Sequence, residues 1–158
     1  MVTKDDLKQI VMLGYFSDEM LDKLLPITDL LLFQEKEFVF RQGQSADRFY
    51  MLLEGKVLLE QRLSDAITVS LSAVKPGFSF GWSSMLDEET YTSDAMCDEP
   101  CKLLSLRAER IKALVREDPA LGNILHQRLL RIIKKRYDIR TEQFIKAIKN
   151  HPDISRLL

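Results

Sequence analysis

The chain has 158 residues, and 23 Lys and Arg against 24 Asp and Glu give a formal net charge of −1. This length suffices for one domain with its own core, and the charge balance excludes a global field that would draw the protein to nucleic acid or an anionic membrane. The N-terminus lacks the apolar core of a signal peptide, and no stretch reaches the roughly 18 apolar residues of a membrane span. We therefore expect a soluble cytoplasmic protein, with Cys97 and Cys101 as reduced thiols.

Residues 1–28 are predicted to be helical. Thr3 precedes two acidic residues and an apolar pattern at helical spacing, which predicts a capped amphipathic helix over 3–13. Ser17 begins a second, short helix with acidic residues in its first turn, and Pro26 ends it.

Residues 29–107 show short apolar runs separated by polar turns, at the spacing of about 8 to 12 residues that is typical of an all-β sandwich or barrel. The predicted strands cover 30–33, 38–40, 49–53, 57–59, 67–74, 92–97 and 102–106. Among them, the segment PGFSFGW at 76–82 holds Gly77 and Gly81 between aromatic residues. This pattern predicts a strand end that turns sharply into a short helix and exposes backbone N–H groups.

Residues 108–158 are predicted to be helical again. One helix covers 109–116, and the sequence Glu117-Asp118-Pro119 starts a long second helix with two apolar stripes. The first stripe, suited to covering the β-section, contains Leu121, Leu125, Leu129 and Ile132. The second stripe, suited to packing on a partner helix, contains Leu130, Ile133, Tyr137, Phe144 and Ile148.

Two arrangements of the second stripe stay open. A homodimer would bury Ile133, Tyr137, Phe144 and Ile148 at its interface. Alternatively, the stripe folds back on the same chain after a break near Asp138.

Four segments carry a resemblance to a known family: LGYFSDEMLDKL at 13–24, EFVFRQGQSADRFYMLLEGKV at 37–57, KPGFSFGW at 75–82 and EDPALGNILHQRLL at 117–130. Over nearly its whole length, the chain resembles the cyclic nucleotide-binding domain of the catabolite activator and kinase regulatory subunit superfamily. The resemblance implies a single α+β domain over 1–158. It would be an antiparallel β jelly-roll (double-stranded β-helix) flanked by N-terminal helices and a long C-terminal helix.

The family's turn positions are matched here with one departure. Tight turns of the family's fold are implied at Gly43, Gly55, Gly77 and Gly81. Tyr50 stands where the family packs a core aromatic residue, whereas Lys36 replaces a Gly that usually precedes the second strand.

The family's nucleotide-binding side chains are largely replaced. In the family, the short helix after FG presents its amides to the cyclic phosphate, a Glu directly after FG accepts the ribose 2′-hydroxyl, and an Arg about nine residues later pairs with the phosphate. This chain has Trp82 and Tyr91 at the two side-chain positions, and only Thr92 remains. Trp cannot accept the ribose hydroxyl, and Tyr offers one uncharged donor in place of a bidentate cation.

The sequence FGWSSM followed by TYTSDA resembles a subgroup of stand-alone family members that lack a DNA-binding domain. The resemblance implies a variant pocket formed by Gly81, Trp82, Ser83, Ser84, Tyr91 and Thr92. No Lys or Arg stands between Pro76 and Cys101, where the acids are Asp87, Glu88, Glu89, Asp94, Asp98 and Glu99. Their negative field would disfavour a phosphate and tolerate a neutral or cationic small molecule of unknown identity. In the alternative, Trp82 simply fills the vacated cavity.

We expect a non-enzymatic regulatory or sensor module that needs no cofactor and signals through a small-molecule ligand and a protein effector. The alternatives are a genuine cyclic AMP or cyclic GMP receptor and a structural adaptor with a filled pocket. No catalytic or metal-binding residues are predicted, because Ser83 and Ser84 have no evident His partner and the CDEPC cysteines have no further ligands at suitable spacing. We expect no direct DNA binding, because the basic residues between Arg128 and Arg140 are typical of a solvated helix face and too few residues follow for a helix-turn-helix.

Overall fold

The computed structural model describes residues 1–157, which form two compact units, Met1–Ile124 and the described residues from Leu125 onward. The first unit contains the N-terminal helices, all eight strands and the first of the C-terminal helices. The second contains most of the long C-terminal helix. Within residues 1–157, no helix combines the length and the apolar character that crossing a membrane would need.

The N-terminal helix is shorter than predicted. Helix α1 covers Lys4–Lys8 and begins with a capping box, in which Thr3 Oγ1 accepts from the Asp6 amide and the Asp6 carboxylate accepts from the Thr3 amide. A 3₁₀ turn over Val11–Tyr15 replaces its predicted second half. The Val11 amide donates to the Gly77 carbonyl at 2.9 Å. This hydrogen bond to the β-section takes the place of the hydrogen bond that the Val11 amide would make within a continued helix.

Helix α2, Asp18–Leu24, has the predicted start and stop. Ser17 Oγ accepts from the Met20 amide at 3.2 Å, and Pro26 lies in the 3₁₀ turn that follows the helix.

Within residues 1–157, eight strands form two antiparallel sheets, and the predicted jelly-roll with flanking helices is confirmed. The strands are β1 Thr28–Phe33, β2 Phe38–Phe40, β3 Arg48–Glu54, β4 Val57–Arg62, β5 Thr68–Val74, β6 Ser79–Phe80, β7 Asp94–Cys97 and β8 Cys101–Arg107. One sheet has the order β1-β8-β3-β6 and the other β2-β7-β4-β5. The two-residue strand β6, which pairs with Tyr50 and Met51 of β3, is too short to show a period in the sequence.

Residues from both sheets form one buried cluster with an aromatic centre. Tyr50 and Phe80 face each other across β3 and β6 with ring centroids 5.4 Å apart, and Phe40 lies 5.7 Å from Tyr50 and 5.9 Å from Phe80. Tyr50 is therefore the core aromatic residue that the resemblance implied.

The turns that the family resemblance implied have the expected backbone. Gly43, Gly55, Gly77 and Gly81 all have positive φ angles between 79° and 94°. Lys36, with φ of 67°, adopts the same left-handed conformation without being glycine.

Helix α3 covers Ala108–Glu117, and α4 covers Pro119–Lys149. Asp118 begins α4, because its carboxylate accepts from the Leu121 amide at 3.0 Å, and this bond holds the pKa of Asp118 below its usual range. Helix α4 runs without interruption through Asp138, so the alternative with a break near that residue is wrong. A short helix α5, Pro152–Ser155, follows.

The two apolar stripes of α4 differ in exposure. Of the first stripe, Leu121, Leu125 and Leu129 are buried and Ile132 is partly buried. Leu130 and the four proposed interface residues of the second stripe are exposed.

Candidate functional site

The turn after β6 has the geometry that its sequence predicts. Gly81 has φ of 79° and leads directly into a single 3₁₀ turn over Trp82–Met85. A Cβ atom on residue 81 would lie 3.1 Å from Tyr50 Cδ2 and 3.2 Å from the Arg48 carbonyl oxygen. Glycine is thus needed here both for the backbone angle and for the close approach of the turn to β3.

Within this turn, the side chains have different accessibility. Ser84 is fully buried, and its Oγ donates to the Gly81 carbonyl at 2.7 Å, so its hydroxyl stabilises the turn. Trp82 and Ser83 are partly exposed, although the indole nitrogen of Trp82 is buried. Met85 is partly exposed as well, so a small molecule can reach every side chain of this turn except that of Ser84.

Tyr91 lies in the aromatic core. Its side chain is 3% exposed, and its ring stacks on Phe40 at 3.7 Å between centroids with 10° between the planes. Its hydroxyl donates to the Arg48 carbonyl at 2.7 Å and accepts from the Arg48 amide at 3.1 Å. Burial raises the pKa of this hydroxyl above the usual tyrosine range, so Tyr91 is neutral at physiological pH.

Gly81 and Tyr91 are joined through two shared neighbours. The Arg48 carbonyl that accepts from Tyr91 also lies 3.2 Å from the point that a Cβ on residue 81 would occupy, and the Phe40 ring that stacks on Tyr91 approaches that point to 3.5 Å. Tyr91 thus holds in place the two groups, the Arg48 carbonyl and the Phe40 ring, against which Gly81 packs.

Thr92, in contrast to Tyr91, is exposed, and its carbonyl accepts from Gln61 Nε2 at 3.4 Å.

Arg48 is a contributor that the sequence pattern did not reveal. Its guanidinium donates to Asp29 and to Ser105 Oγ, both at 2.9 Å, while its backbone holds Tyr91. A single Arg at the start of a strand gives no sequence signal for this double role.

The predicted negative field is only partly present, because cations from elsewhere in the first unit pair with half of the acids. The pairs are Asp87 with Lys112 at 2.8 Å, Asp94 with Arg41 at 3.3 Å, and Asp98 with Lys56 at 2.6 Å. Hydrogen bonds from the two lysines lower the pKa of Asp87 and of Asp98. A negative field around this segment can therefore come only from the three remaining acids, Glu88, Glu89 and Glu99.

Lys112 also connects helix α3 to the segment after the turn, since its Nζ donates to the Leu86 carbonyl at 2.8 Å. A cleft of about 310 Å³ lies at this connection. It is lined by Ser45, Ala46, Asp47, Leu86, Glu88, Glu89, Arg107, Ala108, Glu109 and Lys112, a set distinct from the six residues of the predicted pocket.

The two cysteines are buried core thiols. Cys101 Sγ donates to the carbonyls of Glu99 and Lys56 at 3.2 and 3.4 Å, and burial raises the pKa of Cys97 to about 12. A protonated thiol is neither a good nucleophile nor a metal ligand. Across residues 1–157, no three His, Cys, Asp or Glu side chains cluster in a way that would hold a metal ion.

Comparison with known proteins identifies the family. A family model described as the cyclic nucleotide-binding domain matches residues 30–118. The chain belongs to this family. It is 29% identical over 117 residues to the cyclic AMP receptor protein of Thermus thermophilus, covering 74% of this chain and 54% of that protein.

Solved structures agree with the fold. The catabolite activator protein of Thermus thermophilus superposes with a TM-score of 0.71 at 26% identity, over 84% of this chain and 62% of that one. A cyclic nucleotide-binding domain of Methylobacillus flagellatus reaches a TM-score of 0.79 over 94% of this chain and 83% of that one, at 19% identity, which shows the fold alone. The chain spans 42% to 55% of the length of several curated relatives that it matches.

Proposed function

We propose that this member of the cyclic nucleotide-binding family is a non-enzymatic regulatory module that has lost the family's recognition of the cyclic phosphate. The observation that carries the proposal is the position of Tyr91. Where the resemblance implies a phosphate-pairing Arg, the chain has a buried, neutral tyrosine whose hydroxyl bonds twice to the Arg48 backbone. This hydroxyl is already used in holding β3, so it is a poor donor for a ligand.

The effect of losing the hydrogen bond between Arg and phosphate on cyclic nucleotide affinity can be estimated. One charge-assisted hydrogen bond contributes about 1.5–3 kcal/mol, which is roughly a 10- to 150-fold change in the dissociation constant. Trp82 removes the ribose acceptor as well, because an indole has no acceptor. We expect cyclic AMP and cyclic GMP to bind with dissociation constants above roughly 100 μM.

A ligand of different chemistry suits the remaining side chains better. Trp82 and Ser83 are partly exposed, and Thr92 is exposed. If Thr92 contributes to the same pocket, as the resemblance implies, an aromatic ring and hydroxyl groups favour a flat neutral or cationic small molecule that stacks on or beside Trp82. The exposed acids Glu88 and Glu89 would tolerate a positive charge. Binding of this molecule, or of a protein effector, would be the regulatory input.

Two other functions have specific support. A genuine cyclic nucleotide receptor is favoured by the Gly81 turn, which has the family's left-handed backbone, and by the Thermus thermophilus relative described as a cyclic AMP receptor protein. A structural adaptor is favoured by Ser84 and Tyr91, whose hydroxyls are used inside the protein.

Calorimetry with cyclic AMP and cyclic GMP separates the receptor from the other two functions, because low-micromolar binding would contradict the proposal. Trp82 is the only Trp of the chain, so its fluorescence separates sensor from adaptor. Neutral and cationic metabolites that shift its emission should also raise the melting temperature, and the matched variant Trp82→Phe should lose that stabilisation. If no compound in a broad screen shifts either signal, the adaptor becomes the better proposal.

We also propose that the protein is located in the reducing cytoplasm, which suits its two unbridged cysteines. We further propose that it forms a homodimer through the second stripe of α4. Ile133, Tyr137, Phe144 and Ile148 are 38–67% exposed, a row of apolar side chains that a partner helix would cover. Sedimentation should show twice the monomer mass. Ile133→Asp with Tyr137→Asp should give a monomer, whereas Ile145→Asp, an equally exposed isoleucine away from the stripe, should leave the dimer intact.

A further inference from the structure

Charge is segregated along the chain. Residues 1–124 contain 14 Lys and Arg against 21 Asp and Glu, whereas residues 125–149 contain eight Lys and Arg against two Asp and Glu. The near-zero net charge of the whole chain therefore conceals a strongly basic stretch within α4. A charge asymmetry of this kind indicates a local surface for an anionic partner.

Four basic side chains form one row on α4. At 3.6 residues per turn, they fall within about 60° around the helix axis and extend over about 27 Å along it. We call them the basic row: Arg131, Lys135, Lys146 and Lys149. All four are exposed, and within residues 1–157 none of them forms a salt bridge, whereas the neighbouring Lys134 pairs with Asp138 at 2.6 Å. The row therefore presents four cations that are available to a partner.

The basic row and the second stripe lie on different sides of α4. Helical periodicity places Ile133, Tyr137 and Phe144 more than about 140° from the centre of the row. A homodimer formed through the second stripe would therefore leave the basic row exposed to a further partner.

The middle of the basic row favours a protein over a uniformly anionic surface. Glu142 lies between the two pairs of cations, is exposed, and forms no salt bridge with the described residues. The phosphates of a nucleic acid or a lipid would meet this carboxylate at the centre of their contact. Ile139 and Ile145, three residues before and after Glu142, are 42% and 47% exposed. Apolar side chains among charges suit a protein partner, because protein interfaces bury an apolar core inside a polar rim.

We propose that the basic row of α4 is the docking surface for an acidic segment of a protein partner. The segment would place acids at both of its ends against the four cations, and a basic and apolar centre against Glu142, Ile139 and Ile145. This partner is the protein effector of the proposed function, on which the inference rests. Exposed ion pairs are individually weak and screened by salt, so the docking needs both ends of the row.

Two synthetic peptides of equal composition test this surface. One has Glu at both ends with Lys and Leu in the centre, and the other has Lys at both ends with Glu and Leu in the centre. Fluorescence anisotropy of the labelled peptides measures their binding to the full chain at low and at physiological salt. The first peptide should bind at least about 10-fold more tightly, and its affinity should fall as the salt concentration rises. Equal binding of the two peptides, or no binding of either, would overturn the proposal, because the row would then be an ordinary solvated helix face.

Charge reversal in two matched variants locates the contact. Lys135→Glu with Lys146→Glu should abolish the preference for the first peptide. Lys75→Glu with Arg110→Glu makes the same change in net charge at two exposed cations of the first unit, and it should keep the affinity of the wild type within about twofold at physiological salt. An equal loss in both variants would mean that net charge rather than the row attracts the peptide, which would overturn the proposal. A short duplex DNA that binds more tightly than the first peptide, and is lost in the row variant, would assign the row to nucleic acid and overturn it as well.

These outcomes can be distinguished from a failure of the proposed function. Calorimetry with cyclic nucleotides and Trp82 fluorescence report on the turn after β6, whereas the peptides report on α4. A negative peptide result therefore refutes only the docking surface. Tight binding of cyclic AMP would contradict the proposed function and leave the expected peptide preference unchanged.

Discussion

Removing the Tyr91 hydroxyl tests whether this residue supports the turn. The variant Tyr91→Phe keeps the ring that stacks on Phe40 and deletes both bonds to the Arg48 backbone. Leaving a buried backbone donor or acceptor without its partner costs about 1–3 kcal/mol. Arg48 is partly exposed, so water can compensate in part, and we expect the variant to lose about 1–3 kcal/mol in total rather than twice that amount.

Urea unfolding followed by Trp82 fluorescence or circular dichroism measures this loss as a lower midpoint with an unchanged slope. The matched control is Tyr137→Phe, whose side chain is 67% exposed and which we expect to change stability by less than about 0.5 kcal/mol. Tyr91→Ala, which also deletes the stacked ring, should cost at least about 3–5 kcal/mol. If Tyr91→Phe is as stable as the wild type, the hydroxyl does not hold β3, and Tyr91 is free to serve a ligand.

Three further predictions concern the backbone and pH. Lys36→Gly should stabilise the protein by about 0.5–1.5 kcal/mol in urea unfolding, because glycine adopts the φ of 67° without strain, and Lys36→Ala should give no gain. Gly81→Ala should cost about 1–3 kcal/mol, because it combines a positive φ with close contacts to β3, whereas Gly14→Ala, which has open space, should be nearly neutral. Burial raises the pKa of Cys97 to about 12 and also raises that of Cys101. Their contribution to stability is fully present below the ordinary thiol pKa and is lost as the pH rises toward 12, so the urea midpoint should fall across that range and fall less steeply for Cys97→Ala.

Local signals in the sequence account for most of the fold. Ser17, Asp118 and the positive-φ glycines act through their own backbone neighbourhood, so their sequence context was enough to place helix starts and turns. The end of α1 could not be placed in the same way. It depends on the bond from the Val11 amide to Gly77, a contact between residues far apart in the chain.

The candidate site could be predicted only in part, for the same reason. The Gly81 turn follows from its sequence, but the burial of Tyr91 depends on Phe40 and Arg48, which come from two other strands. The charge around the turn could not be predicted from the local sequence either, because Lys112 and Lys56, from distant parts of the chain, pair with two of its acids. Net charge along a segment therefore overestimates the field in the folded protein.

The position of Tyr91 also predicts that introducing the two side chains implied by the family resemblance, Glu at 82 and Arg at 91, would destabilise the protein. Tyr91→Arg would remove the ring that stacks on Phe40 and the two bonds to Arg48, and would bring a guanidinium into an aromatic cluster that contains no acid. A buried cation without a partner is destabilising. Trp82→Glu with Tyr91→Arg would therefore gain phosphate and ribose contacts only at a cost in stability. Under the proposed function, recognition and folding are coupled at this position, because the residue that stands where the resemblance implies a phosphate-pairing Arg bonds to the backbone of strand β3 through its hydroxyl.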